Sequence, residues 1–169
     1  MMQGYKQVQS ENAILKHWRS LVVFLICAYA VACIGNLITA PALVDWFADL
    51  EKPAYTPPGW VFGAAWSFLY SSMAIAAWRV WLRRDLRNIH TALILYHVQL
   101  ILNLFWTIAF FGMHNPLIAL ADIVLLQLAN IATAASFNKI DRLSGLLFIP
   151  YILWVSFATI LNFYIWIAN

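Results

Sequence analysis

The amino-acid sequence predicts an all-α fold, an integral membrane bundle of five transmembrane helices. Composition is the first reason: of 169 residues, 64% are hydrophobic and only 10% charged, with a mean hydropathy of +0.77. A soluble domain carries about 25% charged residues, and a chain this short would still need a polar surface if water surrounded it. The second reason is that the apolar residues fall into five runs, each near the ~20 residues that a helix needs to cross the hydrocarbon core. The third is the placement of charge. Five spans put the N-terminus, the second loop and the fourth loop on one side, with nine of the ten basic residues: Lys6, Lys16, Arg19, Arg79, Arg83, Arg84, Arg87, Lys139 and Arg142. Lys52 alone falls on the other side, beside Asp45, Asp49 and Glu51. Four or six spans would mix the loops. The positive-inside rule then places the N-terminus in the cytoplasm and the first loop outside, as in a bacterial cell membrane.

Each element follows in order. Residues 1–18 form a polar N-terminal segment without the pattern of a cleaved signal peptide; residues 19–169 form the membrane domain. The first span runs from Ser20 to Ala40, and Pro41 is expected to stop it. Cys27 and Cys33, six residues apart, sit about 240° apart around a helix, so they cannot bridge and read as small apolar wall residues. Residues 42–58 form a longer connection, in which Thr56 and Pro57 read as an N-cap and the first helical position. The second span covers about Pro58 to Leu82, and Arg83, Arg84, Asp85 and Arg87 make a basic turn. The third runs from Ile89 to Phe111, and the fourth from Pro116 to Phe137, with Asn115 as cap and Pro116 at the first position. The fifth runs from Leu143 to Ile167, with Pro150 inside it as an expected kink.

Few groups in these spans can carry acid–base or metal chemistry. Ionisable residues at membrane depth are functional candidates by default, and here they are Asp122 and His97. Both read more simply as hydrogen-bonded packing groups, and no nucleophile–base pair, metal cluster, proton relay or nucleic-acid-binding basic patch accompanies them. The spans offer instead large aromatics at helical spacing beside small or polar residues. Trp66 and Tyr70 are i, i+4; Asn103 and Trp106 are i, i+3; Trp154, Ala158 and Leu161 follow i, i+4, i+7. An asparagine at membrane depth must find a partner on another helix or on a ligand. Spacing alone leaves ordinary packing and a mostly apolar ligand pocket equally open.

At these residues the sequence resembles the TspO/translocator protein family, the tryptophan-rich sensory proteins that include the peripheral benzodiazepine receptor. Trp46 to Tyr70, WFADLEKPAYTPPGWVFGAAWSFLY, carries the family's first-loop and second-helix pattern almost without a break. LNLFWTIAFF (Leu102 to Phe111), ADIVLLQL around Asp122, and PYILWVSFATILNFYIW (Pro150 to Trp166) match the later helices in the correct order. The resemblance implies five packed helices, a homodimer, and a ligand pocket beneath the first loop for porphyrins such as protoporphyrin IX. Its lid would be Trp46, Phe47 and the Pro57–Pro58–Gly59 turn. Its walls would be Phe62, Trp66 and Tyr70, then Asn103 and Trp106, then Trp154, Ala158 and Leu161. Trp66 and Trp154 match the pair implicated in light-dependent porphyrin breakdown in some bacterial members.

One departure counts against high-affinity cholesterol binding. The animal sterol pattern has a basic residue shortly after Leu and Tyr, whereas Leu161 and Tyr164 are followed here by IWIAN. Lys52 is the only cation on the loop side for a porphyrin's propionates, with backbone amides at the start of the second span as further donors. The expected function is a membrane receptor or binding protein for tetrapyrroles and related hydrophobic ligands, with porphyrin as ligand, no obligatory cofactor and no metal. The alternatives are a transporter of porphyrin or lipid-like molecules and a light-dependent porphyrin-degrading enzyme.

Overall fold

A computed structural model describes residues 17–85 and 87–169 and is all-helical over them. The helices are α1 (Trp18–Val44), the short α2 (Trp46–Asp49), α3 (Gly59–Trp81), α4 (His90–Thr107), α5 (Pro116–Ile140), the short α6 (Arg142–Leu146) and α7 (Ile149–Ala168). A π-helical turn, Ile108–Gly112, extends α4. Five helical stretches are long and apolar enough to cross a membrane: α1, α3, α4 with its π turn, α5, and α6 with α7. The five-span bundle expected from the sequence is therefore the fold. Most of the polar segment proposed for residues 1–18 lies outside the described residues.

The helix ends show where local sequence rules hold. Asn115 caps α5, its Oδ1 accepting from Ile118 N at 3.0 Å, and Pro116 takes the first turn, as expected. Two proline readings are corrected. Pro41 lies inside α1 and does not end it. A proline removes its own N–H and crowds the preceding turn, but its carbonyl still accepts, here from Asp45 N at 3.3 Å, so one more turn forms. Pro150 lies inside the fifth stretch, Arg142–Ala168, and the helix is interrupted at Leu147 and Phe148 in the turn just before it, the local loosening expected of a proline there. Thr56 does not cap α3: its hydroxyl donates to Pro53 O at 2.7 Å, and Pro58 precedes the helix.

The closely packed helix pairs define a ring. α1 lies against α3 and α4, α4 against α5, and α5 against α7. α6 lies against α3 and α5, closing one end of the bundle. α3 and α7 are not among the closely packed pairs, and aromatic side chains meet between them. Small residues permit close approach where the backbones do meet: Ala74, Ala76 and Ala77 of α3 and Ala28 of α1 are fully buried. The outward faces are apolar, as lipid requires, with Ile26, Leu37, Ile94, Ile101, Leu128 and Leu153 exposed. Cys27 and Cys33 are free and exposed on α1, in keeping with their reading as apolar wall positions.

The α6 end is held by charge. Asp141, 8% exposed, receives Arg79 Nε at 2.7 Å and Arg83 Nη2 at 2.8 Å, and Ser144 donates to it through both N and Oγ. Burial pushes the Asp141 carboxyl up. The hydrogen bonds from Arg79 and Ser144 and the charges of Arg79 and Arg83 outweigh burial and hold it below the ordinary aspartate range.

Candidate functional site

Between α3 and α7 aromatic rings meet. From α3, Phe62 meets Trp154 of α7 edge-on at 5.6 Å, and Trp66 meets Tyr151 at 6.1 Å. Trp66 also lies 5.5 Å from Tyr70, the i, i+4 pair of the sequence pattern. Beneath these rings runs a buried polar chain. Tyr70 Oη donates to Asn103 Oδ1 at 2.5 Å, and Asn103 Nδ2 donates to Tyr151 Oη at 3.0 Å. Three helices thus converge on Asn103, which is 2% exposed. Gly63 faces open space: nothing lies within 4 Å of where a Cβ would stand.

A second aromatic group lies under the first loop. Trp106 Nε1 donates to Asn162 Oδ1 at 3.0 Å, and Asn162 Nδ2 donates to Pro116 O at 2.8 Å, which ties α4, α5 and α7 together. Trp106 stacks on Phe110 at 5.2 Å; Phe110 in turn meets Trp46 at 5.4 Å and Phe47 at 6.2 Å. Trp46 also stacks on His114 at 4.6 Å, and His114 has the left-handed φ of 50°. Trp46 and His114 line a groove of about 420 Å³ with Leu50, Asn115, Pro116, Leu117, Trp166 and Asn169. Asn169 fastens the loop, accepting from Glu51 N at 2.9 Å and donating to Glu51 O at 3.2 Å.

The residues named from the sequence therefore fall into two groups. Phe62, Trp66, Tyr70, Asn103 and Trp154 gather between α3, α4 and α7, while Trp46 and Phe47 belong to the group around Phe110. Trp106 touches both. Ala158 packs against the main core and Leu161 is buried. Pro57, Pro58 and Gly59 form the entry to α3. Sequence reasoning missed Tyr151, Asn162, Phe110 and His114. Asn162 was the most legible of these, being a further asparagine at membrane depth one turn beyond Ala158.

Three polar side chains differ from their sequence reading. Lys52 Nζ donates to Phe47 O at 2.6 Å, Ala48 O at 3.0 Å and Leu50 O at 2.8 Å, so its three protons cap the α2 turn and leave none for a propionate. His97 is hydrogen-bonded, Nδ1 to Leu93 O at 2.7 Å, but it is exposed on the lipid-facing side and is no core residue. Asp122 is 4% exposed, and its Oδ2 has no partner among the described residues. Among the described residues no three His, Cys, Asp or Glu side chains group as a metal site.

Comparison with known proteins fixes the family. The family model described as TspO/MBR family matches residues 23–167. Protein CrtK of Rhodobacter capsulatus is 40% identical over 153 residues, covering 89% of this chain and 94% of its own. The tryptophan-rich sensory protein of Cereibacter sphaeroides is 39% identical over 146 residues, covering 86% and 89% respectively. The human translocator protein is 37% identical over 154 residues, covering 90% and 91%. Five membrane-length helices, the aromatic wall between α3 and α7 and a family match over nearly the whole membrane domain agree, and the chain belongs to the TspO/MBR family.

Proposed function

We propose that this protein is a membrane receptor for tetrapyrroles of the protoporphyrin IX kind, bound between α3, α4 and α7. The observation that carries this reading is the set of aromatic side chains, Phe62, Trp66, Tyr151 and Trp154, that meet between the less closely packed α3 and α7. Rings that meet edge-on across such a space can separate and stack on a planar macrocycle, exchanging one aromatic contact for another. The Tyr70–Asn103–Tyr151 chain beneath supplies polar anchors on an otherwise apolar wall. With Lys52 occupied, the propionates fall to the first N–H groups of α3 at Gly59 and Trp60, which a helix leaves without intrahelical partners. A homodimer in the bacterial cell membrane, with a cytoplasmic N-terminus, completes the proposal.

Titration of the detergent-purified protein with protoporphyrin IX, followed by tryptophan fluorescence, tests it. Saturable quenching is expected, and Trp154→Phe or Trp66→Phe should weaken binding about three- to tenfold, the worth of one aromatic stacking contact. Quenching that does not saturate, or variants that bind like the wild type, would refute the site. The human relative's name, translocator, keeps the transport reading in view, and uptake of porphyrin into proteoliposomes separates it from binding. Trp66 and Trp154 also support the light-dependent degrading reading, because indole can donate an electron to an excited porphyrin. Pigment loss under illumination but not in darkness would favour it.

A further inference from the structure

The basic turn between α3 and α4 divides its arginines between two tasks. Arg79 and Arg83 are both committed to Asp141. Arg84 points elsewhere: its guanidinium carbon lies 3.7 Å from the centre of the Trp81 ring, and Nη1 donates to Trp81 O at 3.3 Å. Its one ion pair among the described residues is with Asp85, 4.0 Å away with a side chain 82% exposed, a weak neutralisation. Arg87 is exposed and has no ion pair among the described residues. Arg84, Arg87, Asp85, Asn88 and His90 rim a cavity of about 770 Å³ whose remaining lining is apolar: Trp81, Ile89 and Leu93.

The position of this cavity decides what can occupy it. It lies between the last residue of one membrane-length helix, Trp81, and the first of the next, His90; the end of a span is where headgroups meet acyl chains. Beyond it, Ile94, Val98 and Ile101 continue along α4 as exposed apolar side chains, interrupted by the exposed His97, whose Nδ1 is hydrogen-bonded to Leu93 O. A cationic rim, an indole at the boundary and an apolar track running into the membrane match an anionic glycerophospholipid. Guanidinium groups bind phosphate oxygens in paired hydrogen bonds, and basic pockets at span ends collect acidic headgroups. We propose that Arg84 and Arg87 hold the phosphodiester of one anionic phospholipid at this turn, with an acyl chain lying along Leu93, Ile94 and Ile101. The site is separate from the α3–α7 space and does not depend on porphyrin binding.

Native mass spectrometry of the purified protein, offered equal phosphatidylglycerol and phosphatidylcholine, tests this. One phosphatidylglycerol should be retained in preference. Arg84→Gln with Arg87→Gln should lower its retention roughly ten- to thirtyfold, the worth of two interfacial arginines. Lys139→Gln with Arg142→Gln removes the same charge from the same side and should leave retention unchanged. Equal retention of both lipids, or equal loss in the two double variants, overturns the site. Wild-type protein gives an independent measurement that no variant's folding can confuse: phosphatidylglycerol, and not phosphatidylcholine, should raise its thermal midpoint. Millimolar inorganic phosphate should not reproduce that rise. If it does, the occupant is a soluble phosphate and the lipid assignment is wrong.

Discussion

Asn103 accepts from Tyr70 and donates to Tyr151, so both functions of its amide are used inside the bundle. Asn103→Ala strands two buried hydroxyls at once, and each unpartnered group costs about 1–3 kcal/mol. Thermal unfolding in detergent should show a loss of that order or more. Tyr70→Phe removes one member and leaves Asn103 its bond to Tyr151, so its loss should be clearly smaller. Equal losses would mean that the chain does not act as drawn. Asp141 gives a test in pH. Its folded carboxyl is held below the ordinary value of about 3.9. A depressed folded value contributes stability that is present above the unfolded value and is lost as pH falls through the folded one. Stability should therefore decline as pH drops below about 4. Asp141→Asn should remove that part of the decline and cost about 2 kcal/mol at neutral pH, a buried-pair loss discounted for the partly exposed arginines. A decline of undiminished size in the variant would assign the acid sensitivity to another group.

At the scale of elements, two glycines make opposite predictions. A Cβ on Gly145 of α6 would stand 2.6 Å from Asn138 Cβ and 2.9 Å from its Cα, with Ala134 O at 3.0 Å. Backbone cannot move aside as a flexible side-chain tip can, so Gly145→Ala should push α6 off α5 and cost about 1–3 kcal/mol by thermal unfolding. Gly63, in the interior of α3 with open space around it, should gain about 0.5–1 kcal/mol on conversion to Ala, because alanine loses less conformational freedom in a helix. If the tetrapyrrole lies against that face, Gly63→Ala should weaken protoporphyrin IX binding while stabilising the apoprotein, a combination that a purely structural glycine would not give. The helix ends also show what the sequence could reveal. Asn115–Pro116 was legible because cap and first position are local chemistry. Thr56–Pro57 has the same local form but failed: Thr56 is drawn back to Pro53 O, and a second proline, Pro58, precedes the helix. Pro41 was misread as a stop because a proline restricts the turn before it and says little about the turn after; Pro150 obeys the same rule, with the helix loosened at Leu147 and Phe148 just before it.

For the whole molecule, the five spans were legible because lipid makes apolar length nearly sufficient evidence of a helix. The site was half legible. Spacing put Trp66 with Tyr70 and Asn103 with Trp106, but helix crossing decides that Tyr151 receives Asn103 and Asn162 receives Trp106. No local pattern encodes that crossing. The proposed orientation in the membrane, by contrast, rests on a global sum that no single residue carries. Nine of ten basic residues lie on the side of the N-terminus, and Lys52 on the opposite side is bound to three carbonyls. The expected topology has the α3–α4 turn and Lys139 in the cytoplasm and the loop containing Tyr55 outside. With Cys27 and Cys33 replaced by Ala, a membrane-impermeant maleimide applied to intact bacterial cells should label Tyr55→Cys and spare Lys139→Cys. In inside-out vesicles the pattern should reverse. Labelling of Lys139→Cys in intact cells would invert the assignment, and it would move the lipid-binding turn to the leaflet that carries less anionic charge.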